Sequence, residues 1–260
     1  MEPVSNLPEW ERRLFQPGGG DAFLFYVVFG RFHQPMTISG SHYKTAGLPK
    51  QVTLGLYERE NEPQTLESFV QGFLAQKLKE EEPEIFAAVT KAPQCLVISG
   101  TVEDPENLNY LRDTLGVISA MLDNGGVAVY DPQKFHWWSP KHWKETIQRP
   151  KEPALNQHVS ILISLENEKS GDKNGPVWLH TRGLRKFGRP DLSLRNLDQS
   201  RLDAGVDLCN YLIEDRIMGL QLCEGQTLDA PGLPIGITCH PTGNLEDPDF
   251  NNVHIEIRLP

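Results

Sequence analysis

Long apolar runs are missing from this 260-residue chain: no stretch comes near the roughly eighteen residues that a membrane helix needs. Cations are scarce, 25 lysines and arginines against 35 acids, for a formal charge of -10. A surface of that sign is repelled by phosphate backbones and by anionic lipid unless its few cations cluster. General nucleic-acid binding and membrane association are therefore not expected. Cysteine is scarce too. Cys95, Cys209, Cys223 and Cys239 stand far apart and form no Cys-x-x-Cys, so neither a disulfide framework nor a zinc site is expected. The first six residues hold no basic segment, and the apolar run at 22–29 is too short for a secretory leader, so the expected location is cytoplasmic. The Gly18-Gly19-Gly20 run lacks the Lys-Ser/Thr of a phosphate loop. No repeat is present, and nothing calls for a cofactor or a metal.

What is present is an ordinary apolar fraction of 38%, enough for a packed core. Residues 1–20 carry Pro3, Pro8, Pro17 and the glycine run, and are expected as a flexible arm and joint, with Trp10, Leu14 and Phe15 able to dock it. The run AFLFYVVF at 22–29 predicts a central strand buried on both faces. Alternating Val52, Leu54 and Leu56 predict a half-buried strand. A helix is expected from Thr65, with Leu66, Phe69, Val70, Phe73, Leu74 and Leu78 on one face and the three glutamates 80–82 closing it. Asp104-Pro105 predicts the start of a second helix that ends at Asn124-Gly125-Gly126. A third is expected over about 199–218, striped by Leu202, Val206, Cys209, Ile213 and Ile217. Strands are expected near 95–99, 127–130, 159–165, 176–180, 191–197, 235–240 and 253–259. The last alternates Val253, Ile255, Ile257 and Leu259 with His254, Glu256 and Arg258.

Doubled strands and one-face alternation argue against a doubly wound parallel sheet. The fold class expected is α+β, a mixed or mainly antiparallel sheet with three main helices packed on it. Residues 21–260 are expected as one domain, with a possible subdivision near 148–156, where two prolines interrupt the apolar pattern.

Two concentrations of chemistry stand out. From His180 to Arg195 the chain reverses its overall charge, with Arg182, Arg185, Lys186, Arg189 and Arg195 against the one acid Asp191. Gly183 and Gly188 permit backbone with positive φ, and exposed N–H groups beside arginines bind anions. Arginine also grips carboxylate or phosphate with two parallel bonds. The binding set for an anion or an acidic partner is therefore His180, Arg182, Gly183, Arg185, Lys186, Gly188, Arg189 and Arg195. The plain alternative is a strand-turn-strand corner whose arginines meet this protein's own acids. The second concentration is Trp137, Trp138 and Trp143, either an aromatic contact surface or a plug between a short helix and the sheet. His136 and His142 beside it have no third metal ligand nearby.

The segment Thr181-x-Gly183-Leu184-x-x-Phe187-Gly188-x-Pro190-Asp191-Leu192 resembles a motif of uncharacterised bacterial α+β domains of unknown function. Those domains read Thr-x-Gly-Met/Leu-x-x-Phe-Gly-x-Pro-Glu/Asp-Leu. The helix leading into Asn124-Gly125-Gly126 and the strand after it is similar to theirs, and the resemblance covers roughly residues 95–240. It implies an intracellular binding or immunity role and brings no catalytic residue. The expected function is accordingly that of a non-enzymatic binding protein using the basic Arg/Gly loop, with an acidic protein or an anionic small molecule as partner. The alternative is an enzyme acting on an anionic small molecule, with His180 as general base and Arg182, Arg185 and Arg189 as an anion clamp. Oligomeric state is not legible in the sequence.

Overall fold

The structure, a computed structural model, describes residues 7–33, 35–148, 153–166, 174–247, 250 and 252–260. The chain forms two compact units. One holds Phe23–Ala154 with the beginning of the chain up to Glu11; the other holds Leu155–Pro260 together with Arg12–Ala22. The division thus lies inside the proline-broken span near 148–156, of which residues 149–152 are outside the described ones. Each unit builds its own mainly antiparallel sheet and lays helices on it, so the architecture is α+β.

In the first unit β1 (Ala22–Gly30), β2 (Val52–Glu58), β3 (Gln94–Val102), β4 (Gly126–Asp131) and β5 (His136–Trp138) form a sheet in the order β2-β3-β1-β4-β5. Strand β1 sits at its centre, as its unbroken apolar run requires. Val27 and Phe29 face one core, shared with Leu66, Leu78, Ile85 and Val89. Leu24, Tyr26 and Val28 alternate to the other side and are fully buried. The first core is covered by three short helices, α2 (Pro63–Ser68), α3 (Gly72–Glu81) and α4 (Pro83–Lys91). One long helix was expected there. Gly72, at φ 74°, turns the chain between the first two, and Pro83 starts a new helix where the glutamates end the previous one.

The other face carries α5 (Asn109–Asp123) and α6 (Pro140–Trp143). The Asp104-Pro105 signal opens no helix. Residues 107–109 instead meet the beginning of the chain: Leu108 N–H donates to the Trp10 carbonyl at 2.7 Å, and Trp10 N–H to Asn109 Oδ1 at 2.9 Å. A further short helix, α1 (Gly40–Tyr43), leads into Thr45 against Gly116 of α5.

The second unit pairs β6 (Ser160–Leu165), β7 (Val177–Arg182), β8 (Asp191–Leu197), β9 (Thr227–Leu228), β10 (Ile237–Thr242) and β11 (His254–Arg258) in the order β6-β7-β8-β11-β10-β9. Only β8 and β11 run parallel among the pairings of this sheet. One helix, α7 (Leu202–Ile217), covers one face, and Leu208, Cys209, Leu212, Ile213 and Ile217 are buried along it. From the strands Leu179, Leu192, Leu194, Cys239, Ile255 and Ile257 are buried. Period-two alternation then aims Trp178, His180, Arg182, Ser193, Arg195 and Glu256 at the opposite face.

Residues 12–19, expected to be part of a flexible arm, are a strap tied to this unit. Arg12, 5% exposed, donates to the Phe187 carbonyl at 2.8 Å and the Ile217 carbonyl at 3.1 Å. Leu14 N–H reaches the Met218 carbonyl at 2.9 Å. The physical reason is the end of α7, whose last carbonyls have no partner within the helix and take their donors from the strap. Among the described residues no helix is long and apolar enough to cross a membrane.

Candidate functional site

The basic segment begins in β7, turns through a 3-10 helix at Leu184–Phe187 and returns along β8. Gly183 and Gly188 bracket the turn at φ 121° and 62°. Both are needed. A Cβ at Gly183 would strike the His158 carbonyl, and one at Gly188 the Gly20 carbonyl.

The corner is held by Asp191, which is completely buried. Its Oδ1 accepts from Thr181 Oγ1 at 2.8 Å and from Leu184 N–H at 3.1 Å. Its Oδ2 accepts from Asn252 Nδ2 at 2.6 Å and from Gly183 N–H at 3.4 Å. Thr181 Oγ1 in turn accepts from Leu192 N–H at 2.8 Å. Loss of solvent pushes the Asp191 carboxyl up to about 6, against the pull of these donors and of Arg182. The Thr, Gly, Leu, Asp and Leu of the resemblance segment thus share one hydrogen-bonded lock, and their spacing follows from it.

The eight binding candidates separate into two groups. Arg189, 2% exposed, folds into the corner and donates to the Gly188 carbonyl at 2.8 Å, the Gly219 carbonyl at 2.8 Å and the Gln16 carbonyl at 2.9 Å. Lys186 is fully buried, and Arg185 is half-buried on the same turn. The clamp expected of Arg182, Arg185 and Arg189 therefore does not form. Arg189 works as a strap for α7's end, beside the buried Arg216, whose guanidinium burial lowers to about 9. Arg216 Nη1 likewise donates to a backbone carbonyl, that of Leu220 at 3.0 Å.

The second group assembles on the outer face of the sheet. Arg195 lies over the Trp178 ring at 4.1 Å, and Trp178 stacks on His180 at 4.0 Å and 26°. Phe250 meets both rings edge-on, at 5.4 and 5.1 Å, and Arg182 lies over Phe250 at 4.3 Å. The column is pinned at each step. Trp178 Nε1–H donates to Ser193 Oγ at 2.9 Å, Arg195 pairs with Glu166 at 3.1 Å, and Arg182 donates to the Phe250 carbonyl at 2.6 Å. His180 is depressed to about 4, first by burial and then by Arg182, Arg195 and His254. Its Nδ1 is buried without a hydrogen-bond partner. The ring is thus neutral at physiological pH and works as an aromatic plate.

Trp178 and Phe250 escaped the sequence reading. Trp178 carried a signal, since it stands two residues before His180 on an alternating strand and so shares its face. Phe250 carried none, because it arrives from the loop before β11.

The tryptophan cluster is corrected: it is interior. Trp138 and Trp143 are 1% and 0% exposed, and Trp137 is 9%. Adjacent on β5, Trp137 and Trp138 point to opposite faces of the sheet. Trp137 stacks on Tyr130 at 4.3 Å, while Trp138 meets Trp143 edge-on at 5.9 Å. Trp143 Nε1–H donates to Ser119 Oγ of α5 at 2.9 Å. The rings of His136 and His142 lie 6.3 Å apart, and among the described residues no three His, Cys, Asp or Glu side chains converge on a metal position.

Comparison of the chain with protein-family models, with curated proteins and with solved structures gives no significant match, so the site rests on its own geometry.

Proposed function

We propose that this is a non-enzymatic binding protein that docks an acidic partner protein on the outer face of the second sheet, at Arg182, Arg195 and Trp178. The observation that carries the reading is the Arg195–Trp178–His180–Phe250–Arg182 column. It holds two guanidinium groups and a large indole in fixed positions on a rigid sheet, with Trp178, Arg182 and Arg195 all part-exposed. Tryptophan and arginine are the side chains that carry most energy at protein interfaces, because they give wide contact with little entropy left to lose. Arginine adds two-pronged recognition of carboxylate. The four unpaired cysteines support a reducing, cytoplasmic setting.

The catalytic alternative draws no such support. A base at about 4 accepts protons poorly at neutral pH, and Phe250 covers the His180 ring. Of the arginines that were to hold the substrate, Arg189 is buried and spent on the carbonyls of residues 16, 188 and 219, so the three do not converge on one anion.

The test is affinity capture from native lysate with the wild type, Arg195→Glu and Arg201→Glu, the last reversing an exposed arginine away from the column. The reading expects a captured protein that is lost with Arg195→Glu and retained with Arg201→Glu. Identical recovery by all three chains refutes it.

A further inference from the structure

A cavity of about 70 Å³ opens in the first unit between α5, the chain around Tyr43 and the turn that follows α6. Close backbone approach shapes it. A Cβ on Gly116 of α5 would lie 2.4 Å from the Tyr43 carbonyl, so the glycine lets the end of α1 settle directly on α5. Trp10 is held beside it by its backbone bonds to Leu108 and Asn109. Ile147 and Gln148 complete the wall from a π-helical turn, Lys144–Gln148.

Two backbone irregularities meet at this cavity. One is the π-helical turn, a rare form that recurs at functional sites. The other is Lys44, which stands at φ 52° and ψ 45°, in the left-handed region at the end of α1. Glycine takes that position at no steric cost, whereas a lysine is strained there. Strained residues of this kind cluster at active sites and ligand clamps.

The charge of the lining runs against that of the chain. His42, Lys44 and Arg112 are among its residues, and none of the described ones is acidic, in a protein with 35 acids against 25 lysines and arginines. The acids nearby are already engaged. Asp113 pairs with Arg112 at 2.8 Å, and Asp123 pairs with Lys144 and accepts from the Tyr43 hydroxyl at 3.0 Å. Among the described residues Lys44 makes no ion pair. One fixed positive charge is left over, that of Lys44.

We infer that this cavity binds the carboxylate end of a small organic acid. Volume and charge select the class together. The cavity has under half of the roughly 150 Å³ that accepts benzene, so a carboxylate fits inside and a ring does not. A single left-over charge matches a monoanion and not a doubly charged phosphate. The Lys44 ammonium, the Trp10 indole N–H and the Gln148 amide are all donors, as a carboxylate requires. The rest of the ligand lies at the mouth against Trp10 and Tyr43, which are part-exposed.

Binding to the full chain is measured by calorimetry at constant ionic strength, with phenylacetate as the probe and the uncharged phenylacetamide beside it. Phenylacetate is expected to bind with a Kd of about 1 mM, and the amide about tenfold more weakly. Amide and indole NMR shifts are expected at Trp10, Gly116 and Ile147. Lys44→Gly removes the charge and relieves the backbone. It is expected to bind phenylacetate about tenfold more weakly while its thermal midpoint rises or stays level, so that unfolding is not the cause. Lys91→Gln removes an exposed charge from α4, on the other face of the sheet, and is expected to bind as the wild type does. No binding at about 10 mM, equal binding of acid and amide, or undiminished binding by Lys44→Gly overturns the inference. So do shifts that fall at Arg182 and Arg195 in place of Gly116, because the anion then belongs to the second sheet.

Discussion

Replacing Asp191 separates the two things a buried carboxylate does in this corner. In Asp191→Ala, three well-bonded donors lose their acceptor: Leu184 N–H, Thr181 Oγ1–H and the Asn252 amide. An orphaned buried donor costs about 1–3 kcal/mol, or about 3–9 kcal/mol for three. Against this, holding the carboxylate charged in a site where it titrates at about 6 in place of 3.8 costs about 3 kcal/mol at pH 7, which the alanine relieves. The expected net loss is about 3 kcal/mol. Asp191→Asn behaves differently. Its Oδ1 keeps Thr181 and Leu184, and the Asn252 amide can rotate to offer its own oxygen to the new amide. A loss of no more than about 1 kcal/mol is expected.

The pH dependence distinguishes the two chains further. Asp191 has a folded-state pKa raised above its unfolded value, so on raising the pH the unfolded chain releases this proton first. Between about 4 and 6 the native state holds more protons, and stability falls as pH rises until it levels off above 6. From pH 5 to 7 the wild type should therefore lose about 1 kcal/mol relative to Asp191→Asn, all other groups cancelling in the difference. Urea unfolding at both pH values, with hydrogen exchange followed over β7 and β8, measures this. Equal costs for Asn and Ala, or a difference that grows in the opposite direction with pH, would refute the account of the lock.

Three more outcomes follow from the same contacts. Arg189→Met removes the donors to Gly219, Gly188 and Gln16 and should cost about 3–5 kcal/mol. Limited proteolysis should then cut within residues 12–19, and an uncut strap would show that its other bonds suffice. His180 should stay neutral down to about pH 4 in an NMR titration, so that protonation opposes folding as pH drops from about 6.5; a midpoint near 6.5 would contradict its burial. Trp143→Phe loses the bond to Ser119 and leaves a void where the rest of the buried indole packed, for an expected thermal destabilisation of about 2–3 kcal/mol. Unchanged stability would refute the reading, since Ser119 Oγ already donates to the Leu115 carbonyl whether or not the indole is there.

Local pattern foretold most of the elements and failed where two signals competed. The apolar run of β1, the inward Ile255 and Ile257 of β11 and the Cys209, Ile213 and Ile217 of α7 each reflect burial of one face or both. Leu202 and Val206 stay part-exposed while Leu208 and Leu212 are buried, and Val253, expected inward, is exposed while His254 is buried. The helix expected from Thr65 to the glutamates at 80–82 is split because Gly72, at positive φ, turns the chain against a continuous stripe; α4, opened by Pro83, was not foreseen. The start expected at Asp104 yields to a distant partner, the backbone of Trp10, which no window around residue 104 contains. The same limit applies to the tryptophans. Their clustering was plain, but whether a ring is covered depends on α5 and on β1, and both rings adjacent in sequence turned inward on opposite faces.

For the basic segment, residue types and spacing by themselves determined that a glycine-hinged turn carries arginines between two strands. They determined also that His180 and Arg182 share a face, since period two leaves no other choice. What each charged side chain is for was decided only by tertiary structure. Arg189 is committed to carbonyls of residues 16 and 219, Asp191 to Asn252, and Arg182 to Phe250. A charged side chain looks the same in sequence whether it faces water or a buried carbonyl. The difference lies in which remote segment arrives beside it, and long-range packing of the strap, the end of α7 and the loop before β11 settles that.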